Sequence, residues 1–176
     1  MKYAVVLGLF SLLGLFLFAP KELGQFNPDQ EDWVSLFNGK DLSAWDIKIA
    51  DRPLNDNYLI TFQVENGMLR IVYDEYENFD DKYGHMYYKE PFSYYKLRFD
   101  YRFVGDQTPG GEAWNVRNSG FMVHSQSALS NTFEQHFPVS IEVQLLGGLS
   151  DGKVRTTANL CSPGTAVERF GTIDYS

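Results

Sequence analysis

The sequence predicts an all-β domain, arranged as a sandwich of antiparallel sheets. Short runs of β-branched and aromatic residues alternate with turn residues, and the Asn-Gly pairs at 38–39 and 66–67 are typical hairpin turns. Outside the N-terminal leader, no stretch of about 11 residues or more shows the apolar period of a helix. With 44% hydrophobic and 16% aromatic residues in 176, the chain can fill one core.

The N-terminal segment predicts export. Lys2 precedes an uncharged apolar run over residues 3–20, which is typical of a signal peptide and short for a membrane span of about 20 residues. We expect residues 1–23 to be a signal peptide, with an uncleaved N-terminal anchor as the alternative. Residues 24–32 are polar and read as a linker. The expected location is therefore the periplasm or the extracellular medium, with no membrane contact beyond the leader.

Charge and cysteine content exclude several classes of function. The net charge of −8 repels phosphate backbones, so nucleic acid is not an expected partner. Cys161 is the only cysteine, which leaves no intrachain disulfide and no Cys-x-x-Cys zinc site. No cofactor motif is evident, and a divalent metal is left open.

The domain over residues 33–176 contains the strand-like runs. They lie near residues 33–37, 62–65, 68–73, 92–104, 119–126 and 139–146. In 95–103 and in 139–145, large apolar residues alternate with polar ones, so one face of each strand is expected to lie in the core and the other in solvent. The predicted interior positions are Leu97, Phe99, Tyr101, Phe121, Val123, Ile141, Val143 and Leu145.

The same alternation predicts a polar sheet surface. Consecutive strands are neighbours in about two-thirds of cases. If the three longer strands are neighbours, their outward side chains converge on one face. These side chains are Arg98, Asp100, Asn118, His124, Glu142 and Gln144.

Several motifs, taken in order, resemble one protein family. They are the opening LFNGKDLSAW over 36–45, LRFDYR over 97–102, Asn118-Ser119-Gly120 and IEVQLL over 141–146. The chain resembles the bacterial 3-keto-disaccharide hydrolase family, which implies a concanavalin A-like jelly roll from about residue 33 onward. The acidic segment 74–83 and the segment 157–165 depart from the family pattern. The family's closing strands have no counterpart near the C-terminus, so the resemblance implies an incomplete domain.

The resemblance implies cleavage of 3-keto-glycosides or 3-keto-disaccharides, with a sugar oxidoreductase acting upstream. A ketone at carbon 3 acidifies the hydrogen at carbon 2, so a base can promote elimination of the group on carbon 1, and water then adds. Glu142 is the candidate general base or acid, and His124 is the second proton carrier. Hydrolysis by a carboxylate pair, Glu142 with Asp100, is the competing mechanism.

The remaining candidate residues are binding groups for the sugar. Arg117, Asn118 and Gln144 can donate hydrogen bonds to hydroxyls or to the enolate oxygen. Arg98 and Asp100 are expected beside them, and Trp114 follows Pro109-Gly110-Gly111 in a loop from which it can stack on a sugar ring.

Two alternatives remain open at this point. A non-catalytic carbohydrate-binding module shares the sandwich and the aromatic-lined polar face, so the fold does not separate it from an enzyme. A surface structural or adhesion domain would not be expected to bring a carboxylate, a histidine and amides together.

Overall fold

The computed structural model describes residues 33–168. The predicted signal peptide (1–23), the predicted linker (24–32) and residues 169–176 lie outside that range. Within it, no helix is long and apolar enough to cross a membrane. The regular elements of this part of the chain are β-strands and three short 3-10 turns, so the fold is all-β as predicted.

Seven strands were identified among the described residues. They are β1 (Trp45–Ile49), β2 (Phe62–Glu65), β3 (Met68–Ile71), β4 (Gly84–Tyr88), β5 (Asn118–Val123), β6 (Ile141–Leu146) and β7 (Asn159–Cys161). β1 pairs with β4, β2 with β3, and β6 lies between β5 and β7. Every pairing is antiparallel, consistent with a jelly-roll sandwich.

The β2–β3 hairpin follows directly from the sequence. Asn66 and Gly67 have φ values of 51° and 74°, as a type I′ turn requires at both central positions. Phe62 then pairs with Ile71, and Glu65 with Met68. The predicted turn and both of its strands are therefore confirmed.

The strand predicted over residues 95–103 is wrong. Residues 91–104 form no ladder with a described strand, and Leu97, Phe99 and Tyr101 are 40%, 44% and 52% exposed rather than interior. Phe99 nevertheless packs edge-to-face on Phe121, with ring centroids 5.7 Å apart. Alternation identified the apolar side of this segment, but a ladder also needs a partner strand, which local sequence does not specify. Residues 33–37 are likewise not a strand.

The buried apolar core lies around β1 and the start of β2. Ile47, Ile49 and Phe62 are its centre, and Leu42, Tyr58 and Met86 pack against them. The side chains predicted for the interior on β5 and β6 are instead only partly buried. They still share one face, because Phe121 pairs with Val143 and Val123 with Ile141.

A buried lysine joins β1 to a distant loop. Lys48 is only 4% exposed, and its ammonium donates hydrogen bonds to the carbonyls of Ile49 (2.8 Å), Arg52 (3.0 Å) and Phe133 (3.0 Å). The Phe133 carbonyl also accepts from the Asp51 amide. Burial lowers the pKa of Lys48. Since an ammonium has three protons, these three carbonyls satisfy the group completely.

His85 lies on β4 directly opposite Lys48. Its Nε2 is 2.8 Å from the His136 carbonyl and donates to it as N–H. Loss of solvent around the ring lowers the pKa of His85, and the nearby Lys48 charge acts in the same direction. The neutral imidazole is therefore the form that this position favours.

Replacing the lysine tests its structural role. Lys48→Met keeps most of the apolar stem but removes a donor from three carbonyls, and the Arg52 carbonyl then has no described donor at all. We expect a loss of about 1–3 kcal/mol in the free energy of unfolding, the cost of one unsatisfied buried group. Urea denaturation measures this loss. The matched control is Lys153→Met at an exposed position, where a change within about 0.5 kcal/mol is expected. Equal stability of the two variants would contradict the structural role.

The protonation of His85 predicts a pH dependence of stability. Because its folded pKa lies below the ordinary value of 6.5, the unfolded chain binds the proton more readily. This contribution to stability is fully present above pH 6.5 and is lost as the pH falls from that value through the lower pKa of the folded state. Denaturation between about pH 7.5 and 5.5 should show a smaller pH slope for His85→Gln, which retains a donor, than for the wild type. His124→Gln, at an exposed position, should keep the wild-type slope; the same flattening there would refute the assignment.

Candidate functional site

The three-stranded sheet β5–β6–β7 presents one face rich in polar side chains. Met122, Glu142 and Cys161 lie side by side across the three strands, and Gly120, Gln144 and Asn159 form the next row. Asn118 and Leu146 end the face. We call these eight residues the polar face. The prediction that alternation puts Asn118, Glu142 and Gln144 on one face is confirmed.

Glu142 lies at the centre of one row, and its carboxylate occupies the space left by a glycine. A Cβ on Gly120 would lie 2.6 Å from Glu142 Oε1 and 2.8 Å from the Val143 carbonyl. Partial burial raises the pKa of Glu142. No described residue donates a hydrogen bond to this carboxylate, so none of the residues from 33 to 168 stabilises its ionised form in that way. It is therefore a stronger base than an ordinary surface glutamate.

An amide pair lies beside this carboxylate. Asn159 Nδ2 donates to Gln144 Oε1 at 3.3 Å and lies 3.4 Å from the Thr156 carbonyl. The Gln144 amide nitrogen and the Asn159 carbonyl oxygen have no described partner. The pair thus offers donors and an acceptor next to Glu142, and the binding role of Gln144 stays a prediction.

Two residues of the polar face lie on β7 and were not predicted from the sequence. Asn159 and Cys161 reach the face because Gln144 pairs with Asn159, and Glu142 with Cys161. A three-residue strand gives too short a run for alternation to be recognised. Burial and the neighbouring Glu142 charge both raise the pKa of the Cys161 thiol. The cysteine is therefore a protonated neighbour of the carboxylate.

Asn118 and Trp114 meet at the start of β5. Asn118 Nδ2 donates to the Trp114 carbonyl at 3.0 Å, so this amide supports the turn. The Trp114 ring stacks on Tyr83, with centroids 5.8 Å apart and an interplanar angle of 7°, and is 49% exposed. One side of the indole is thus supported by protein, and much of the remainder is accessible to a ligand.

Arg117 supports a loop rather than extending over the polar face. It has φ = 46°, and its guanidinium donates to the Gly148 carbonyl (2.5 Å) and Ser150 Oγ (3.1 Å). Arg155 donates in the same region, to the carbonyls of Val116 and Gly147. Both cations therefore hold the loop that follows β6. Among the described residues, no hydrogen bond joins the Arg117 guanidinium to a side chain of the polar face.

The structure does not bring His124 to Glu142. β5 ends at Val123, and His124 has φ = 51°, a left-handed conformation that breaks the alternation. The ring is exposed and lines a groove of about 380 Å³ with Tyr95, Leu97, Phe121 and Val123. Phe121 and Val123 belong to the opposite face of the sheet. The expectation that His124 shares a face with Glu142 is therefore wrong.

Arg98 and Asp100 do not lie on the polar face either. Both are exposed in the irregular segment 91–104, whose Phe99 packs on Phe121 at the opposite face of the sheet. The expected placement of Asp100 beside Glu142 on one face depended on a strand over residues 95–103, and that strand does not form. The shared face on which direct hydrolysis by this carboxylate pair relied is therefore not found.

Residues 33–168 contain no group of three or more His, Cys, Asp or Glu side chains that could hold a metal ion. The acidic segment near 74–81 is anchored by Tyr76 and Phe79, which are each 7% exposed. Its carboxylates do not converge on one point.

Comparison with known proteins identifies the family. A family model described as a 3-keto-alpha-glucoside-1,2-lyase-like domain matches residues 32–171, which include all seven strands and the whole polar face. Neither the curated proteins nor the solved structures that were compared with the chain include a match. The matched range covers most of the chain and agrees with the resemblance carried by its motifs, so the chain belongs to the family of 3-keto-alpha-glucoside-1,2-lyase-like domains.

Proposed function

We propose that the chain cleaves 3-keto-glycosides by elimination, with Glu142 as the general base. The observation that carries the proposal is the Glu142 carboxylate itself, half-buried over Gly120 with a raised pKa and no described hydrogen-bond partner. Such a carboxylate is poised to accept a proton from carbon. The family's name describes lyase-like domains that act on 3-keto-alpha-glucosides, which supports the same reaction class.

The bond changes balance without an oxidant or reductant. Glu142 takes the proton from carbon 2, and the electron pair of that C–H bond forms the enolate of the carbon 3 ketone. The enolate then collapses, a double bond forms between carbons 1 and 2, and the bond from carbon 1 to the glycosidic oxygen breaks. The departing oxygen takes up a proton, and water adds to the unsaturated sugar afterwards.

Other residues of the polar face support this step. The Gln144 amide nitrogen, one row from Glu142, can donate to the developing enolate oxygen. The proton held by Glu142 after abstraction is available to the leaving oxygen, so one group can serve both transfers. His124 is outside this face, and the proposal assigns it no proton transfer. An upstream oxidoreductase that makes the ketone, and an exported location, remain parts of the same proposal.

A second candidate function is sugar binding without catalysis. It is favoured by the Trp114–Tyr83 stack, because an indole supported on one side and half exposed is typical of carbohydrate contacts. Measurable binding with no turnover of any 3-keto-glycoside would select this function over the enzyme.

Replacing the base gives the sharpest test of the enzyme. Glu142→Gln retains the size and hydrogen-bonding capacity of the side chain but cannot take up the proton. We expect kcat to fall by about 10²–10⁴-fold, the usual contribution of general base catalysis. Sugar binding and thermal stability should change little. The control is His124→Gln, which should retain near wild-type kcat. Wild-type turnover by Glu142→Gln would exclude this role.

The pH profile adds a second observable. A base with a raised pKa must lose its proton before it can act, so kcat/KM should rise with pH through a value above the ordinary glutamate pKa of 4.5. The ascending limb should be absent from the residual activity of Glu142→Gln.

The space beside Glu142 predicts the effect of a methyl group. In Gly120→Ala, the added Cβ would meet Oε1 of Glu142 and displace the carboxylate. We expect kcat/KM to fall by at least about tenfold, since a small misplacement of a catalytic group is costly. Ser119→Ala, the neighbour on the opposite face, should leave kcat/KM unchanged. Melting temperatures of both variants show whether the backbone near Val143 has tolerated the change. Full activity of a folded Gly120→Ala protein would contradict the assigned geometry.

A further inference from the structure

We infer that Asn159 is a specificity-determining residue. It recognises the hydroxyl group on carbon 4 of the sugar, next to the ketone, by accepting a hydrogen bond from it. This inference rests on the proposed function. It concerns a residue of β7 to which neither the sequence motifs nor the family match gives a role.

The hydrogen bond between Asn159 and Gln144 fixes the polarity of the pair. Because Asn159 Nδ2 donates to Gln144 Oε1, the Gln144 amide must direct its nitrogen away from that contact. Asn159 is left with its carbonyl oxygen, an acceptor. The pair therefore presents a donor from β6 beside an acceptor from β7.

This pattern complements the chemistry of a 3-keto sugar. Carbon 3 carries a carbonyl oxygen, which only accepts hydrogen bonds, and carbon 4 carries a hydroxyl group, which can donate one. Gln144 can donate to the ketone oxygen while the hydroxyl donates to Asn159 Oδ1. Both contacts use atoms that have no partner among the described residues.

The spacing along β6 agrees with this assignment. Glu142 and Gln144 are two residues apart on one face, a separation of about 7 Å. The unit from carbon 2 to the ketone oxygen is short, and each of its ends would make a contact of about 3 Å with one of these side chains. Together, the unit and its two contacts span a distance similar to the separation of Glu142 and Gln144. One ring can thus place carbon 2 at Glu142 and its ketone at Gln144, with carbon 4 towards the outer strand.

The backbone around β7 holds Asn159 in place. The Leu146 amide donates to Thr157 Oγ1 at 3.0 Å, and Ala158 has φ = 57°. Asn159 then enters the ladder opposite Gln144 and is partly buried, whereas the next residue, Leu160, is 77% exposed on the opposite face. Leu160 is therefore a matched control within the same strand.

The test compares a 3-keto-glucoside with its 4-deoxy counterpart. Wild-type kcat/KM should be about tenfold lower for the 4-deoxy sugar, the size of one lost hydrogen bond. In Asn159→Ala this ratio should fall to about one, because the acceptor for the hydroxyl is gone. Leu160→Ala should keep the wild-type ratio. If Asn159→Ala does not fold, Asn159→Val also removes the acceptor oxygen while providing a good strand residue.

The preference for the 3-keto-glucoside over its 4-deoxy counterpart tests the role of Asn159, and it can be measured from binding as well as from turnover. A wild-type ratio near one, or an unchanged ratio in a folded Asn159 variant, would overturn it. Titration calorimetry gives the same ratio from dissociation constants. If the wild type binds both sugars but cleaves neither, the proposed function fails, whereas the ratio of dissociation constants still supports or overturns the role of Asn159. If neither sugar binds, both proposals are overturned.

Discussion

The buried ammonium of Lys48 is the interaction on which the arrangement around β1 depends. A cation removed from water is costly unless its protons are bonded, and here three carbonyls accept them. One of these carbonyls belongs to Phe133, 85 residues away in the sequence. The chain then runs through the fully buried Pro138 and Ser140 into β6. The anchor thus joins β1 to the segment that leads into β6.

The candidate site depends on the residues that the two neighbouring strands place beside β6. β5 contributes Gly120, whose missing side chain makes room for the carboxylate, and β7 contributes Cys161 and Asn159. Glutamate in a solvated sheet surface normally pairs with a cation or with water and keeps an ordinary pKa. Here partial burial without a described cationic partner raises the pKa, which favours a proton-transfer role over a merely structural one.

Local sequence predicted the parts of the fold that depend on local rules. The Asn66-Gly67 hairpin and the side-chain alternation of β6 both follow from such rules, and they place Glu142 and Gln144 correctly. The segment 95–103 carries equally clear alternation but no partner strand, so Arg98 and Asp100 were assigned to a face they do not share. His124 was misplaced because β5 ends at Val123, short of the run expected over 119–126, and His124 itself takes a left-handed conformation. The place of Asn159 on the polar face could not be predicted from local sequence, since it depends on the pairing of β7 with β6.

Exchange of the hydrogen at carbon 2 tests the central claim most directly. A 3-keto sugar joined through carbon rather than oxygen at carbon 1 has no leaving group, so proton abstraction can be observed without cleavage. In heavy water the wild type should exchange this hydrogen, as followed by proton NMR, and Glu142→Gln should not exceed the rate without enzyme. A wild type that cleaves the oxygen-linked 3-keto-glycoside without catalysing this exchange, or a Glu142→Gln variant that exchanges at the wild-type rate, would contradict general-base elimination at Glu142.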